Sequence, residues 1–242
     1  MPLRAIYYDT ETTGIKAEKD RIVEIAAYDP VRNQRFDQLI NPGCPIPREA
    51  SAIHHITDDM VASAPSFASV AKDFIDFCEG DVVLIAHNND NFDYHFLRCE
   101  FERNQLILPS WKFLDSLKWA RRYRPDLPRH TLQFLREIYG IAANTAHRAL
   151  DDVIVLYQMF QLMIDDLSID EIYALLNRSR KLQHMPFGKH QGQPLSQIPA
   201  TYVKWLASSG AFEKAENQEL KETFQQLGLL EKEKLPEPAV LV

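Results

Sequence analysis

The sequence predicts an α/β protein: a mixed sheet flanked by helices, followed by a small, mainly helical unit. Three observations predict this. Strand-like apolar runs lie close together at the start of the chain, a short wholly apolar run with helical patterns around it comes next, and the remainder is mostly helical. Close strand-to-strand links favour antiparallel pairing, whereas helical crossovers favour parallel pairing, so the early strands pair antiparallel and the later ones parallel.

The elements follow in order. Residues 4–8 and 21–28 read as strands, the second carrying Ile22, Val23, Ile25 and Ala26 around a lone Glu24. Residues 36–40 form a third strand, ended by Asn41-Pro42-Gly43. Phe67, Val70, Ala71, Phe74 and Cys78 recur at helical spacing. Residues 82–86 are continuously apolar, the pattern of a buried central strand. A helix over 93–104 and a strand over 111–114 come next. Helices then run to about residue 163, with breaks at Pro125, Pro128 and Gly140. The α/β domain is thus expected over residues 1–165. Ser168-Ile169-Asp170-Glu171 is a capping box that opens a short helix to residue 177. With the basic stretch after it, that helix reads as a connection over 166–184. A second unit is expected over 185–230, and residues 231–242, with Pro236 and Pro238, read as a frayed tail.

Composition excludes some classes. A chain of 242 residues, 45% of them hydrophobic, suits one large domain with a small appendage. No stretch reaches the ~20 apolar residues of a membrane helix, and the first residues lack the apolar segment of a secretion signal. Cys44, Cys78 and Cys99 are scattered and odd in number, so neither a disulfide framework nor a zinc site is expected, and the cytoplasm is the expected location. The net charge of −7 speaks against nucleic acid as a partner, but its distribution speaks for it. Residues 178–212 contain no acid and carry Arg178, Arg180, Lys181, Lys189 and Lys204, and residues 118–136 hold six Lys or Arg against Asp126. Either run alone also reads as a solvated helix face.

Three polar segments carry chemistry. Asp9-Thr10-Glu11-Thr12-Thr13-Gly14 closes the first strand, where residues two apart face the same side, so Asp9 and Glu11 aim together. Adjacent carboxylates repel, and the usual remedy is a hard cation such as Mg²⁺ or Mn²⁺; standing alone, the pair also reads as a solvated turn. His87-Asn88-Asn89-Asp90-Asn91-Phe92-Asp93 follows the buried strand, and by itself Asp93 reads equally as a helix cap. His147-Arg148-Ala149-Leu150-Asp151-Asp152 opens the last long helix. Residues five apart lie about 140° apart on a helix, so His147 is placed on the loop before it, where a histidine suits a general base.

Together, Asp-x-Glu-Thr-x-Gly, His-Asn, Phe-Asp and His-x-Ala-x-x-Asp resemble the motifs of the DEDDh (DnaQ-like) family of 3′→5′ exonucleases. The resemblance covers about residues 4–165 and implies a ribonuclease H-like fold. It implies Asp9, Glu11, Asp93 and Asp152 as ligands of two Mg²⁺ or Mn²⁺ ions, with His147 as general base and Asp151 a solvent-facing neighbour. Glu49-Ala50 and His54-His55-Ile56-Thr57 resemble a further family segment, so that Glu49, His54 and the turn Thr12-Thr13-Gly14 are implied contacts of the terminal nucleotide; His55 stands where glycine is common. Phe92 is either a wedge against bases or a core residue. Asp115, in Leu114-Asp115-Ser116-Leu117, reads as a structural acceptor or cap. Three residues separate Asn88 from Phe92, where many relatives have two. The ending, Pro186-Phe187-Gly188-Lys189-His190-Gln191-Gly192 through Tyr202, Trp205 and Leu206, is similar to the small module that ends exonuclease X. There Lys189 and His190 are candidate nucleic-acid contacts, and Tyr202, Trp205 and Leu206, at helical spacing, read as its small core.

The resemblance implies release of nucleoside 5′-monophosphates from a nucleic acid with a free 3′ end. The strand is expected to be single, because stacking bases on side chains needs them unpaired. The exonuclease X-like ending points to DNA; an exoribonuclease and a non-cutting nucleic-acid-binding adaptor are the alternatives. A homodimer and a polymerase or repair partner both fit.

Overall fold

The computed structural model describes residues 3–142, 149–177, 182–214 and 217–231. The chain forms two compact units that divide between Asn177 and Arg178.

In the first unit, β1 (Arg4–Thr12), β2 (Ile22–Asp29), β3 (Gln34–Leu39), β4 (Val82–Ala86) and β5 (Lys112–Asp115) form one sheet in the order β3-β2-β1-β4-β5. The β1–β2 and β2–β3 pairs, joined by short links, are antiparallel, and the β1–β4 and β4–β5 pairs, joined through helices, are parallel. The helices are α1 (Arg48–His54), α2 (Asp58–Val61), α3 (Phe67–Phe77), α4 (Asp93–Arg103), α5 (Ser116–Tyr123), α6 (Leu132–Ile138), α7 (Ala149–Ile164) and α8 (Ile169–Asn177).

Successive strand residues point to opposite faces, and both faces are covered. Ile6 and Tyr8 of β1 pack with Phe74 of α3 and Phe96 of α4, whereas Ala5 and Tyr7 pack with Trp119 of α5 and Leu156 and Phe160 of α7. Asp9 and Glu11 continue the Ala5 and Tyr7 row, so they face the layer that contains α7. β4 is buried along its whole length, as its unbroken apolar run predicts. Glu100 of α4 is fully buried and accepts hydrogen bonds from Arg21 Nε at 2.6 Å and from Ile22 N at 3.3 Å. These bonds clamp α4 to the start of β2.

Two boundaries differ from the sequence reading. β1 continues past residue 8 to Thr12, because Thr10 pairs with Ile25 and Glu11 with Glu24 across β2, with a register shift only after Glu11. The first unit does not close at residue 165. The capping box forms, with Ser168 N donating to Glu171 Oε2 at 2.8 Å, but α8 buries Ile172 and Leu176 in the layer with α7, and Asp170 accepts from Leu3 N at 3.0 Å. An amphipathic helix with that apolar side joins the core rather than serving as a connection.

The second unit holds α9 (Ala200–Ser208) and α10 (Gln218–Gln226), with a core of Met185, Leu195, Ile198, Val203, Leu206, Phe212, Leu220 and Phe224. Leu182 packs against that core, so the unit begins before residue 185. Leu206 lies in the core as expected and Tyr202 is half-buried, but Trp205 is 56% exposed. Val203 and Leu206, three apart, take the inward face of α9, and Trp205 is rotated about 130° from the middle of that face. Among the described residues, no helix is long and apolar enough to cross a membrane.

Candidate active site

The end of β1 and the first turn of α7 bring carboxylates together. Ligand atoms of Asp9, Glu11 and Asp152 all lie within 4.8 Å of one another. Asp9 and Glu11 arrive by strand alternation. Asp152 sits in the first turn of the described part of α7, where the positive end of the helix dipole favours a carboxylate. Gln133 of α6 donates to Asp152 Oδ1 at 2.9 Å and holds it in place. Asp151, expected to face solvent, is half-buried and lies outside this group.

Asp93 approaches from the other side of β1. It opens α4 and accepts two bonds from Thr10, at 3.1 Å from the backbone N–H and 2.8 Å from Oγ1. It is not one of the three atoms within 4.8 Å, yet its charge reaches Asp9. Burial and the nearby carboxylates of Asp93, Glu11, Asp152 and Glu24 push the Asp9 carboxyl well above the usual carboxylate range. Burial raises Asp93 to about 7, against the opposing pull of the Thr10 hydroxyl. Burial and the neighbouring carboxylates thus disfavour the charged form of Asp9, and burial disfavours that of Asp93.

Glu24 was not among the sequence candidates. It is fully buried opposite Glu11 and accepts the Ala149 N–H at 3.1 Å, tying the start of α7 to β2. The signal was present: a carboxylate inside the apolar run Ile22 to Ala27. Gln133 and Thr10 left no such mark, since their partners are distant in sequence.

Thr12 and Thr13 are buried at the end of β1, and Thr12 Oγ1 donates to Gly14 O at 2.5 Å. A Cβ on Gly14 would collide with the Asp20 carboxylate, which accounts for glycine there. Glu49 is exposed on α1, while His54 is buried and its Nδ1 accepts from Ile56 N at 3.0 Å. His55, where glycine is common, has φ +63°, the left-handed conformation glycine adopts at least cost. Phe92 is half-buried against Phe96, with ring centroids 4.8 Å apart. In the second motif Asn88 is left-handed and is followed by a 3-10 turn over Asn89–Asn91, whose buried Asn89 accepts a hydrogen bond from the Tyr8 hydroxyl. Lys189 is exposed and His190 half-buried in the second unit. His147 lies outside the described residues.

Asp115 is a cap. It accepts from Leu117 N at 2.8 Å and Lys118 N at 3.3 Å at the start of α5, and from Asn88 N at 3.0 Å and Asp90 N at 3.2 Å in the turn before α4. Asp115→Ala is expected to lower stability by about 1–2 kcal/mol, the scale of a lost N-cap, or roughly 2–8 °C in melting temperature for a chain of this size. Loss of hydrolysis with unchanged melting would instead make it a further functional acid.

Comparison with known proteins places this geometry among relatives. The model of a family described as exonuclease matches residues 6–160, and that of a family described as putative quorum-sensing-regulated virulence factor matches residues 177–235. The DNA polymerase III subunit epsilon of Treponema pallidum is 43% identical over 162 residues, covering 65% of this chain and 74% of that protein. The DNA polymerase III PolC-type of Streptococcus thermophilus is 33% identical over 71% of this chain, which spans only 12% of it. Among solved structures, exonuclease X in complex with 5′-overhanging duplex DNA aligns with a TM-score of 0.55 and 25% identity, covering 71% of this chain and 99% of that one. An Escherichia coli exonuclease I complex with single-stranded DNA aligns at 0.62 with 21% identity, over 72% of this chain and 43% of that one, a likeness of fold. The fold is ribonuclease H-like.

Proposed function

This chain belongs to the exonuclease family, and from that premise we propose that it is a metal-dependent 3′→5′ exonuclease that removes nucleoside 5′-monophosphates from single-stranded 3′ ends of DNA. The observation that carries this reading is the meeting of Asp9, Glu11 and Asp152 within 4.8 Å at the end of the central strand. DNA as substrate is supported by the names of the relatives, a DNA polymerase III subunit and an exonuclease X bound to DNA. The same relatives support a polymerase as partner.

The residues fit hard divalent cations. Their donors are all carboxylate oxygens gathered within 4.8 Å, and a cation among them would offset the carboxylate repulsion that adds to burial in raising Asp9. Asp9, Glu11 and Asp152 would hold Mg²⁺ or Mn²⁺, with Asp93 completing the set. When bound, such ions stabilise charge on the scissile phosphate and make a bound water more acidic. The chain supplies the rest. Gln133 and Thr10 fix the orientations of Asp152 and Asp93. Glu24 anchors the start of α7, and with it Asp152. His147, assigned from its motif, accepts the proton of the attacking water as the P–O bond to the leaving 3′ oxygen breaks. The turn at Thr12, Thr13 and Gly14, with Glu49, His54 and Phe92, is assigned to the terminal nucleotide.

The test uses single strands labelled at the 5′ end. With Mg²⁺ or Mn²⁺ the label should stay on strands that shorten stepwise, and 5′-monophosphates should accumulate. Chelator or a phosphorothioate last linkage should stop the reaction, whereas a blocked 5′ end should not. Cutting of circular strands, or full activity in excess chelator, would refute this reading; faster hydrolysis of a matched RNA would replace DNA as the substrate.

A further inference from the structure

The second unit carries an aromatic row that runs from the edge of its core, where Tyr202 packs, out to an exposed Trp205. His190 meets Tyr202 edge-on, with centroids 4.6 Å apart at 69°, and Tyr202 stacks on Trp205 at 5.4 Å and 27°. Trp205, at the end of the row, is the only tryptophan exposed among the described residues. The row is built rather than incidental. His190 Nδ1 lies 2.8 Å from Gln193 Oε1, which fixes the imidazole. Its loop is closed by Met185 N to Gln193 O and Gly192 N to Met185 O, both at 2.8 Å. Gly188, at φ +76°, lets the Tyr202 hydroxyl come so close that a Cβ there would lie 2.6 Å from it. A contiguous, partly exposed set of rings, two of them stacked, is a feature that marks interaction sites on a solvated surface.

Charge indicates what such a surface takes. In a chain of net −7, residues 178–212 hold no acid. Exposed Lys189 and Lys204 precede His190 and Trp205 in the sequence. Aromatic faces beside lysines match the two parts of an unpaired nucleic-acid strand, bases that stack and phosphates that pair with cations. We propose that this face of the second unit is a stacking platform for single-stranded nucleic acid, with bases on Tyr202 and Trp205 and phosphates at Lys189 and Lys204. It is a grip separate from the carboxylate site and does not depend on that site cutting.

The experiment uses the full chain in excess chelator, so that no strand is consumed, and titrates a fluorescently labelled oligothymidylate while following its anisotropy and the intrinsic tryptophan fluorescence. Binding should quench the tryptophan signal. Trp205→Ala should remove most of that quench and weaken affinity roughly five- to one-hundred-fold, the scale of one lost base stack. Trp205→Phe should keep most of the affinity. Lys189→Ala should lower the slope of log affinity against log salt by roughly 0.7. With Mg²⁺, Trp205→Ala should still hydrolyse a dinucleotide at the wild-type rate. Unchanged affinity and quench in Trp205→Ala would overturn the platform, leaving Trp205 to a protein partner. A wild-type chain that binds with the quench but never hydrolyses in Mg²⁺ would overturn the exonuclease reading and leave the platform standing.

Discussion

Replacing Asp9 with asparagine is expected to cut hydrolysis by at least ~10²-fold, more than the 10–100-fold typical of losing a group that only supports a metal ligand, while making the metal-free protein more heat-stable. Both effects come from the same crowding. Asp9 lies among Glu11, Asp152, Asp93 and Glu24, and burial with their charges raises its carboxyl pKa. Asparagine keeps the shape and removes one of the repelling charges. If the relief is about 1 kcal/mol, the melting temperature in chelator should rise by roughly 2–4 °C. Mg²⁺ should raise the melting temperature of the wild type more than that of the variant, because an ion that binds the folded state stabilises it by mass action.

The same argument sets a pH dependence. A carboxyl whose pKa is raised on folding is protonated more readily in the folded chain than in the unfolded one, so stability falls as pH rises between the unfolded and folded values. For Asp93 that window runs from 3.8 to about 7, and Asp9 shifts in the same direction. For Asp93 the penalty is complete above about pH 7 and relieved toward pH 4; for Asp9 it likewise grows as pH rises above 3.8. The difference in melting temperature between Asp9→Asn and the wild type, both in chelator, should therefore widen as pH rises and close as pH is lowered toward 4. A difference that does not change with pH would mean that repulsion is not its source.

His147→Ala is the second large effect, expected to slow hydrolysis by ~10²–10⁴-fold, the usual contribution of general acid–base catalysis. The ligand carboxylates stay in place, so the Mg²⁺-dependent rise in melting temperature should survive, in contrast to Asp9→Asn. The rate profile of the wild type should lose its acidic limb in the variant, since an alanine has no proton to titrate. Asp151→Asn is the control and should leave the rate within a few-fold, because Asp151 stands outside the carboxylate group. A large loss at Asp151 together with retention at Asp152 would shift the register of the third motif by one residue.

Much of the fold was legible from periodicity alone. The strand of five apolar residues at Val82–Ala86, the helical spacing from Phe67 to Phe74 and the capping box at Ser168 each appear where the pattern puts them. Strand alternation was also enough to aim Asp9 and Glu11 at one face, because it is a property of the backbone and needs no partner. The motif residues themselves were named by resemblance, not by geometry. What the sequence could not supply was distance across the fold. That Asp152 meets Asp9 and Glu11, that Glu24 ties β2 to α7, and that Thr10 and Gln133 hold the ligands all depend on contacts between residues far apart in the chain. The end of the first unit likewise depended on where α8 buries Ile172 and Leu176. Helical spacing placed Trp205 in a core, whereas packing left it in solvent, since spacing tells which residues share a face but not which face finds a neighbour.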